Sequence, residues 1–178
     1  IGFCLVGSEM CIRDRTGEPL IGAQPFGVVL SDDLCLNRDG PGVLSQMAAL
    51  YREFECSIVA VQEVPMQEID KYGVIAGTAE RTGLTRVTEM VEKPPQDEAP
   101  SNLAVIGRYI LTPDIFDIIR STPPGRNGEV QLTDALQVQA SEGRVLAYQF
   151  DGLRFDCGSV PGFVEATQHV YEHYYGQS

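Results

Sequence analysis

Three short stretches of the chain hold residue types suited to chemistry on a phosphorylated ligand: "LSDD" at Leu30–Asp33, "VEKP" at Val91–Pro94 and "RFDCG" at Arg154–Gly158. Asp32 and Asp33 close the apolar run "GVVL", and Asp156 closes a second short apolar run ahead of a glycine. In open α/β sheets ligands collect beyond the carboxyl ends of strands, so these acids belong at the edge of a site. Mg2+ takes one or two carboxylates and completes its shell with water and substrate phosphates, a demand that Asp32 and Asp156 together would meet. One member of the Asp32–Asp33 doublet is expected to face the crevice and the other to support the turn; an Asx turn or a helix cap accounts for the doublet equally well. Beside them, Lys93 would neutralise a phosphate and Glu92 would accept hydrogen bonds from vicinal sugar hydroxyls. As neighbours on a strand, the two side chains leave on opposite faces unless the backbone turns at Pro94. A solvated surface ion pair is the plainer reading of an isolated Glu-Lys doublet. Gly73, in "KYGVI", allows a backbone to approach a ligand closely, or simply serves a turn.

The scaffold for these residues alternates in pattern. "PFGVVL" reads as a buried parallel strand ending in polar "SDD". From Gly42 onward Val43, Met47, Leu50 or Tyr51, and Phe54 recur at steps of three and four, which predicts a helix, and "SIVAVQEV" is the next strand. Strand, helix, strand in that order predicts a right-handed βαβ unit of a doubly wound sheet. "YGVIAG" and "GLTRVTEMVEK" read as strands separated by "TAERT", with "NLAVIGRYILT" as another. Thr112-Pro113 then caps a short helix through "DIFDIIRS". After the turn-rich "TPPGRNGE" come a helix over "LTDALQVQAS", a strand over "RVLAYQF" and a final helix opened by Ser159 and Pro161. No repeat, low-complexity tract or linker interrupts this order, and one domain is expected.

Of the 178 residues, 43% are apolar and 21% charged, ordinary usage for a chain with its own core. The net charge of −12 argues against a nucleic-acid polymer as partner, since phosphates there are gripped by clustered Lys and Arg; a nucleotide held through a metal remains compatible. No run approaches the ~18 apolar residues of a membrane span. Cys35, Cys56 and Cys157 are scattered without a CxxC spacing, the pattern of reduced, buried thiols in a cytoplasmic protein. The opening "IGFCLVGSEMCIRDR" differs in character. Its apolar run, Ile1 to Val6, is shorter than the ~7–15 residues of a secretory h-region, and "GSEMCIRDR" carries neither strand alternation nor a helical stripe. "VGSEMCIRDR" also resembles a translated sequencing adapter. Residues 1–15 are therefore expected to be a non-native head, and residues 16–178 the carboxyl-terminal portion of a single domain.

"LSDD", "YGVI", "MVEKP", "SNLAVIGRYIL", "GEVQLTDAL" and "DCGSVPGF" stand in the order and approximate spacing of the bacterial UTP-glucose-1-phosphate uridylyltransferases, and the chain resembles that family from Thr16 to about Tyr171. The resemblance implies an α/β fold, a partial doubly wound mixed sheet of the sugar-nucleotidyltransferase (Rossmann-like) type. It implies a cytoplasmic enzyme, homo-oligomeric when intact, acting on UTP and glucose 1-phosphate with Mg2+. Asp32 and Asp156 match the metal ligands, and Gly73, Glu92 and Val105 match positions lining the glucose pocket, with Glu92 on ring hydroxyls. Lys93 matches the lysine that contacts the sugar phosphate, so Asp32, Lys93 and Asp156 are the implied catalytic residues. Asn102 falls in the same sugar-side motif. Glu129, Gln131, Thr133 and Asp134 match a marked family motif, although polar scaffolding and helix capping account for them. Ser31 stands where the family has Pro or Gly. Nothing matches the glycine-rich GxGTRxxPxTK loop that holds the triphosphate in such enzymes, so the chain is expected to carry the sugar-phosphate side and to be inactive alone. The implied reaction is in-line attack of the sugar phosphate on the α-phosphorus of UTP, resting on positioning and charge neutralisation without a general base.

Other readings compete. A pyrophosphorylase for another nucleotide or hexose phosphate shares several of these motifs. A non-catalytic regulatory domain of the same fold is opposed by the joint presence of Asp32, Lys93 and Asp156. "HVYEH" places His169 and His173 four apart on one helical face, as zinc pairs are, but with no third ligand nearby in sequence.

Overall fold

The computed structural model of the chain describes residues 18–123 and 131–176, together with the backbone of Phe3–Cys4. In chain order its elements are β1 (Phe3–Cys4), β2 (Phe26–Val29), β3 (Asp33–Leu36), α1 (Val43–Phe54), β4 (Ser57–Glu63), β5 (Gly73–Arg81), β6 (Leu84–Glu92), β7 (Leu103–Leu111), α2 (Ile115–Ser121), α3 (Leu132–Ser141), β8 (Val145–Gln149), β9 (Leu153–Asp156) and α4 (Val160–Val170).

Side-chain alternation along the central strand decides the layering. Ile58 and Ala60 of β4 point into a core shared with α1, while Val59 and Val61 point into one shared with α2 and α3. Both faces are covered, which is why "IVAV" is apolar throughout and not every second residue. The helices answer with their own period: α1 buries Val43, Met47 and Leu50, and α3 buries Leu132, Ala135, Leu136 and Ala140.

The main sheet runs in the order β1-β2-β7-β4-β8-β6-β5. Only β1/β2 and β4/β8 pair in parallel; the other pairs are antiparallel. The predicted βαβ unit therefore takes a different form. β2 and β4 run in the same direction but never touch, because β7 lies between them and Ile110 pairs with both Gly27 and Ile58. Local readings shift as well. "TAERT" is largely strand, and the hairpin turns at Thr82–Gly83, where Gly83 takes φ +73°. Asp33 does not stay in a turn but opens β3, which pairs with β9 in a separate two-stranded ribbon. The residue ahead of α2 is Asp114, and Thr112 is buried instead. Of the three thiols expected to be buried, only Cys56 is; Cys35 and Cys157 are half-buried, and all three are free. Most of "TPPGRNGE", including Glu129, falls outside the described residues.

A polar seam ties the helical layer to the sheet. Ser57 donates to Gln139 at 2.7 Å, Gln139 donates to Thr112 at 2.9 Å and to Asp114 at 3.1 Å, and Arg144 donates to Asp114 at 2.6 Å. Burial works against the Asp114 charge, but hydrogen bonds from Thr112, Arg144 and Gln139 outweigh it and hold the carboxyl below its ordinary value. A depressed carboxyl contributes stability above its unfolded value, about pH 4, and loses it as pH falls through the folded one. Asp114→Asn is thus expected to lower the melting temperature at neutral pH, with the gap from the parent closing below about pH 4. A gap that persists unchanged into acid would contradict this. Among the described residues no helix is long and apolar enough to cross a membrane.

Candidate functional site

The β3–β9 ribbon brings two distant acids together. Asp32 lies in the turn that leads into β3 and Asp156 ends β9; Asp33 pairs with Asp156 across the ribbon, and the Cys157 N–H donates to the Asp32 carbonyl at 2.6 Å. Both carboxylates border the space over Gly158. Asp156 Oδ1 accepts the Gly158 N–H at 3.1 Å, and a Cβ on Gly158 would lie 3.1 Å from Asp156 Oδ1 and 3.4 Å from Asp32 Oδ2. A side chain there would press on Asp156 and lie in van der Waals contact with Asp32; glycine leaves the space open. Two hard oxygen donors facing one small gap fit Mg2+, which needs no more than that from a protein. Among the described residues no three His, Cys, Asp or Glu side chains converge, so the remaining ligands would come from phosphate and water. His169 and His173 stack on each other at 4.1 Å, with His169 against Phe155 and His173 Nδ1 hydrogen-bonded to the His169 carbonyl, an arrangement of packed rings.

Glu92 and Lys93 reach the same cleft by a backbone device. The chain turns at Lys93 itself, which takes φ +46°, a left-handed conformation that costs a non-glycine residue roughly 1–2 kcal/mol. Its N–H donates to the Tyr72 carbonyl at 3.0 Å. Both side chains consequently line the cleft, with Lys93 Nζ 3.9 Å from Glu92 Oε1. The other oxygen, Oε2, accepts the Thr133 hydroxyl at 2.6 Å, which fixes the carboxylate and leaves Oε1 toward the lysine. Gly73 pairs with Glu92 across β5 and β6, and a Cβ on it would lie 3.2 Å from Glu92 Oε2 and 3.3 Å from Thr133 Oγ1. Asp32, Asp156, Gly73, Glu92, Lys93 and Val105 all line one cleft of about 460 Å3. Asn102 is not among the residues lining it; its carbonyl accepts the Val64 N–H at 3.1 Å.

Several cleft contacts carry no separate signal in the sequence. Thr133 sits in a stretch readable as capping, and the capping box is indeed made by its neighbours Gln131 and Asp134. Asp33 is buried; its Oδ2 accepts the Gly107 N–H at 2.7 Å and its Oδ1 accepts from Arg154 Nε. Arg154 in turn lies over the Tyr72 ring at 5.3 Å and donates to its hydroxyl at 3.2 Å. Burial works against the Arg154 charge, but the Tyr72 hydroxyl and the Asp33 carboxylate outweigh it and hold the guanidinium above its ordinary value. The one hint for Arg154 is a charge inside the short apolar run "LRF".

A family model described as nucleotidyl transferase matches residues 15–173. A UTP–glucose-1-phosphate uridylyltransferase of Pseudomonas aeruginosa is 64% identical over 160 residues, covering 90% of this chain and 57% of that protein. A second from the same species is 61% identical with the same coverage. A solved UDP-glucose pyrophosphorylase complexed with UDP-glucose superimposes with a TM-score of 0.89 at 55% identity, over 92% of this chain and 62% of that one. The chain thus spans a little over half the length of the curated relatives it matches.

Proposed function

The chain belongs to the nucleotidyl transferase family, and we propose that it forms the sugar-phosphate and metal-binding side of a UTP-glucose-1-phosphate uridylyltransferase. The observation that carries this reading is the meeting of the Glu92–Lys93 pair with the Asp32–Asp156 pair in one cleft. Identity of 64% to a uridylyltransferase, and likeness to a pyrophosphorylase complexed with UDP-glucose, support the choice of nucleotide and sugar.

In this reading Glu92, steadied by Thr133, accepts hydrogen bonds from glucose hydroxyls, and Gly73 and Val105 let the ring lie against β5 and β7. Lys93 holds the sugar phosphate through its ammonium, on a side chain that is more than half exposed and free to follow the ligand. Asp32 and Asp156 would hold Mg2+, which when bound would offset the charge of the substrate phosphates. A phosphate oxygen of glucose 1-phosphate then forms a bond to the α-phosphorus of UTP, and the bond from that phosphorus to the bridging oxygen of pyrophosphate breaks. The attacking oxygen is already anionic, so no side chain has to remove a proton.

The test uses a chimera joining residues 16–178 to the amino-terminal segment of the 64% identical Pseudomonas relative. A hydrogen bond to a charged group contributes about 1.5–3 kcal/mol, so Lys93→Met should raise the KM for glucose 1-phosphate roughly 10- to 100-fold. The KM for UTP should change far less. Equal rises in both would place Lys93 elsewhere in the reaction.

A further inference from the structure

We propose that the buried Asp33–Arg154 pair is a positioning latch that fixes the β3–β9 ribbon, and with it Asp32 and Asp156, against β7 and the Tyr72 edge of the cleft. The inference rests on reading Asp32 and Asp156 as metal ligands.

The ribbon has two strands and stands apart from the main sheet, and such a unit does not hold its own position in water. Its far end is tied to α1, where Gln46 donates to the Asp151 carbonyl at 2.7 Å and accepts the Asp151 N–H at 3.0 Å, and its cleft end is attached through polar groups. β7 offers Gly107, where a Cβ would lie 2.5 Å from Leu30 Cβ and 2.7 Å from Asp33 Oδ2. Glycine at this position is what admits the carboxylate to the backbone N–H it accepts. Around it the Leu30 N–H donates to the Gly107 carbonyl at 2.9 Å, and Arg108 donates to the carbonyls of Leu30 and Asp33. These contacts secure β3. At the cleft end the link to β9 is Arg154, whose guanidinium joins Asp33 to the Tyr72 hydroxyl.

The side chains of Arg154 and Asp33 are only 10% and 8% exposed. Packed apolar residues would hold a ribbon as firmly as a buried ion pair does, so stability alone does not call for the charges. What the pair adds is direction. Arg154 lies two residues before Asp156 on the same face of β9, and Asp33 adjoins Asp32 in sequence. Each partner of the latch is thus covalently next to, or one strand period from, a carboxylate that must meet the other within the reach of one cation.

The test is Mn2+ titration of the chain, followed by the electron paramagnetic resonance of the free ion, below the melting temperature of every variant. Arg154→Met and Asp33→Asn should each weaken Mn2+ binding about 10- to 100-fold, the range for residues that orient metal ligands without touching the metal. Asp33→Asn keeps the side-chain volume and an acceptor for Gly107, so it remains readable where Arg154→Met fails to fold. In the chimera the same variants should raise the Mg2+ concentration for half-maximal rate while the KM for glucose 1-phosphate holds. Unchanged Mn2+ affinity in either folded variant, alongside lost binding in Asp156→Asn, overturns the latch and leaves the ligand assignment standing. No Mn2+ binding by the unaltered chain overturns both.

Discussion

Asp156→Asn in the chimera is expected to lower turnover about 100-fold or more, roughly 3 kcal/mol of transition-state stabilisation, with little change in melting temperature. The two halves of that statement have different causes. Asn keeps the size of the side chain and an oxygen able to accept the Gly158 N–H, so the local turn stays supplied with its hydrogen bond. What disappears is one of the two negative charges facing the gap over Gly158. A cation held there by a single carboxylate would bind more weakly and sit less fixedly toward the phosphates. Pyrophosphate release is to be measured across a Mg2+ series extended to saturation. Recovery of the parent rate at high Mg2+ would confine the role of Asp156 to affinity, and near-normal activity at every concentration would remove it from the site.

Much of the scaffold was legible because local signals and burial agree. The stripe Val43, Met47, Leu50 gave α1, and the unbroken apolar run of β4 is what a strand covered on both faces requires. The order of strands was not legible. A helix between two strands suggests neighbouring parallel partners, but nothing in "GVVL" or "SIVAV" records that β7, some fifty residues later in the chain, inserts between them. The site divides the same way. Asp32, Glu92, Lys93 and Asp156 stand at strand ends, where a sheet places ligands, and their residue types suit the chemistry proposed. Thr133 and Tyr72 touch Glu92 and Lys93 through contacts across the fold, Arg154 touches Asp33, and a sequence shows such residues only as one more hydroxyl, ring or charge. Even the meeting of Glu92 and Lys93 depended on something composition does not encode: a left-handed backbone at Lys93, where the preference rules would put glycine.

By itself the chain is expected to release no measurable pyrophosphate from UTP and glucose 1-phosphate, whereas the chimera should turn over. The reason is the charge within the cleft. Its described lining sets the carboxylates of Asp32, Asp33, Glu92 and Asp156 against the cations of Lys71, Lys93 and Arg154. Arg154 is taken up by Asp33, and Lys71 lies 3.5 Å from Glu68 on the surface. Lys93, 3.9 Å from Glu92, is the cation proposed to serve the sugar phosphate. A triphosphate brings about four negative charges, and pyrophosphate leaves only when the charge growing on it is met by preorganised donors, typically backbone N–H groups at a helix start together with basic side chains. In the proposed reading the described lining organises a sugar phosphate and a cation, but it has no such set to spare for the leaving group. Adding the segment of the Pseudomonas relative tests this directly, since the residues described here stay the same and only the complement changes. Pyrophosphate release by the two purified proteins, compared side by side at equal Mg2+, is the measurement. Equal rates would mean that this cleft neutralises the triphosphate unaided, and that Lys71 or Lys93 does more than the geometry of their ion pairs suggests.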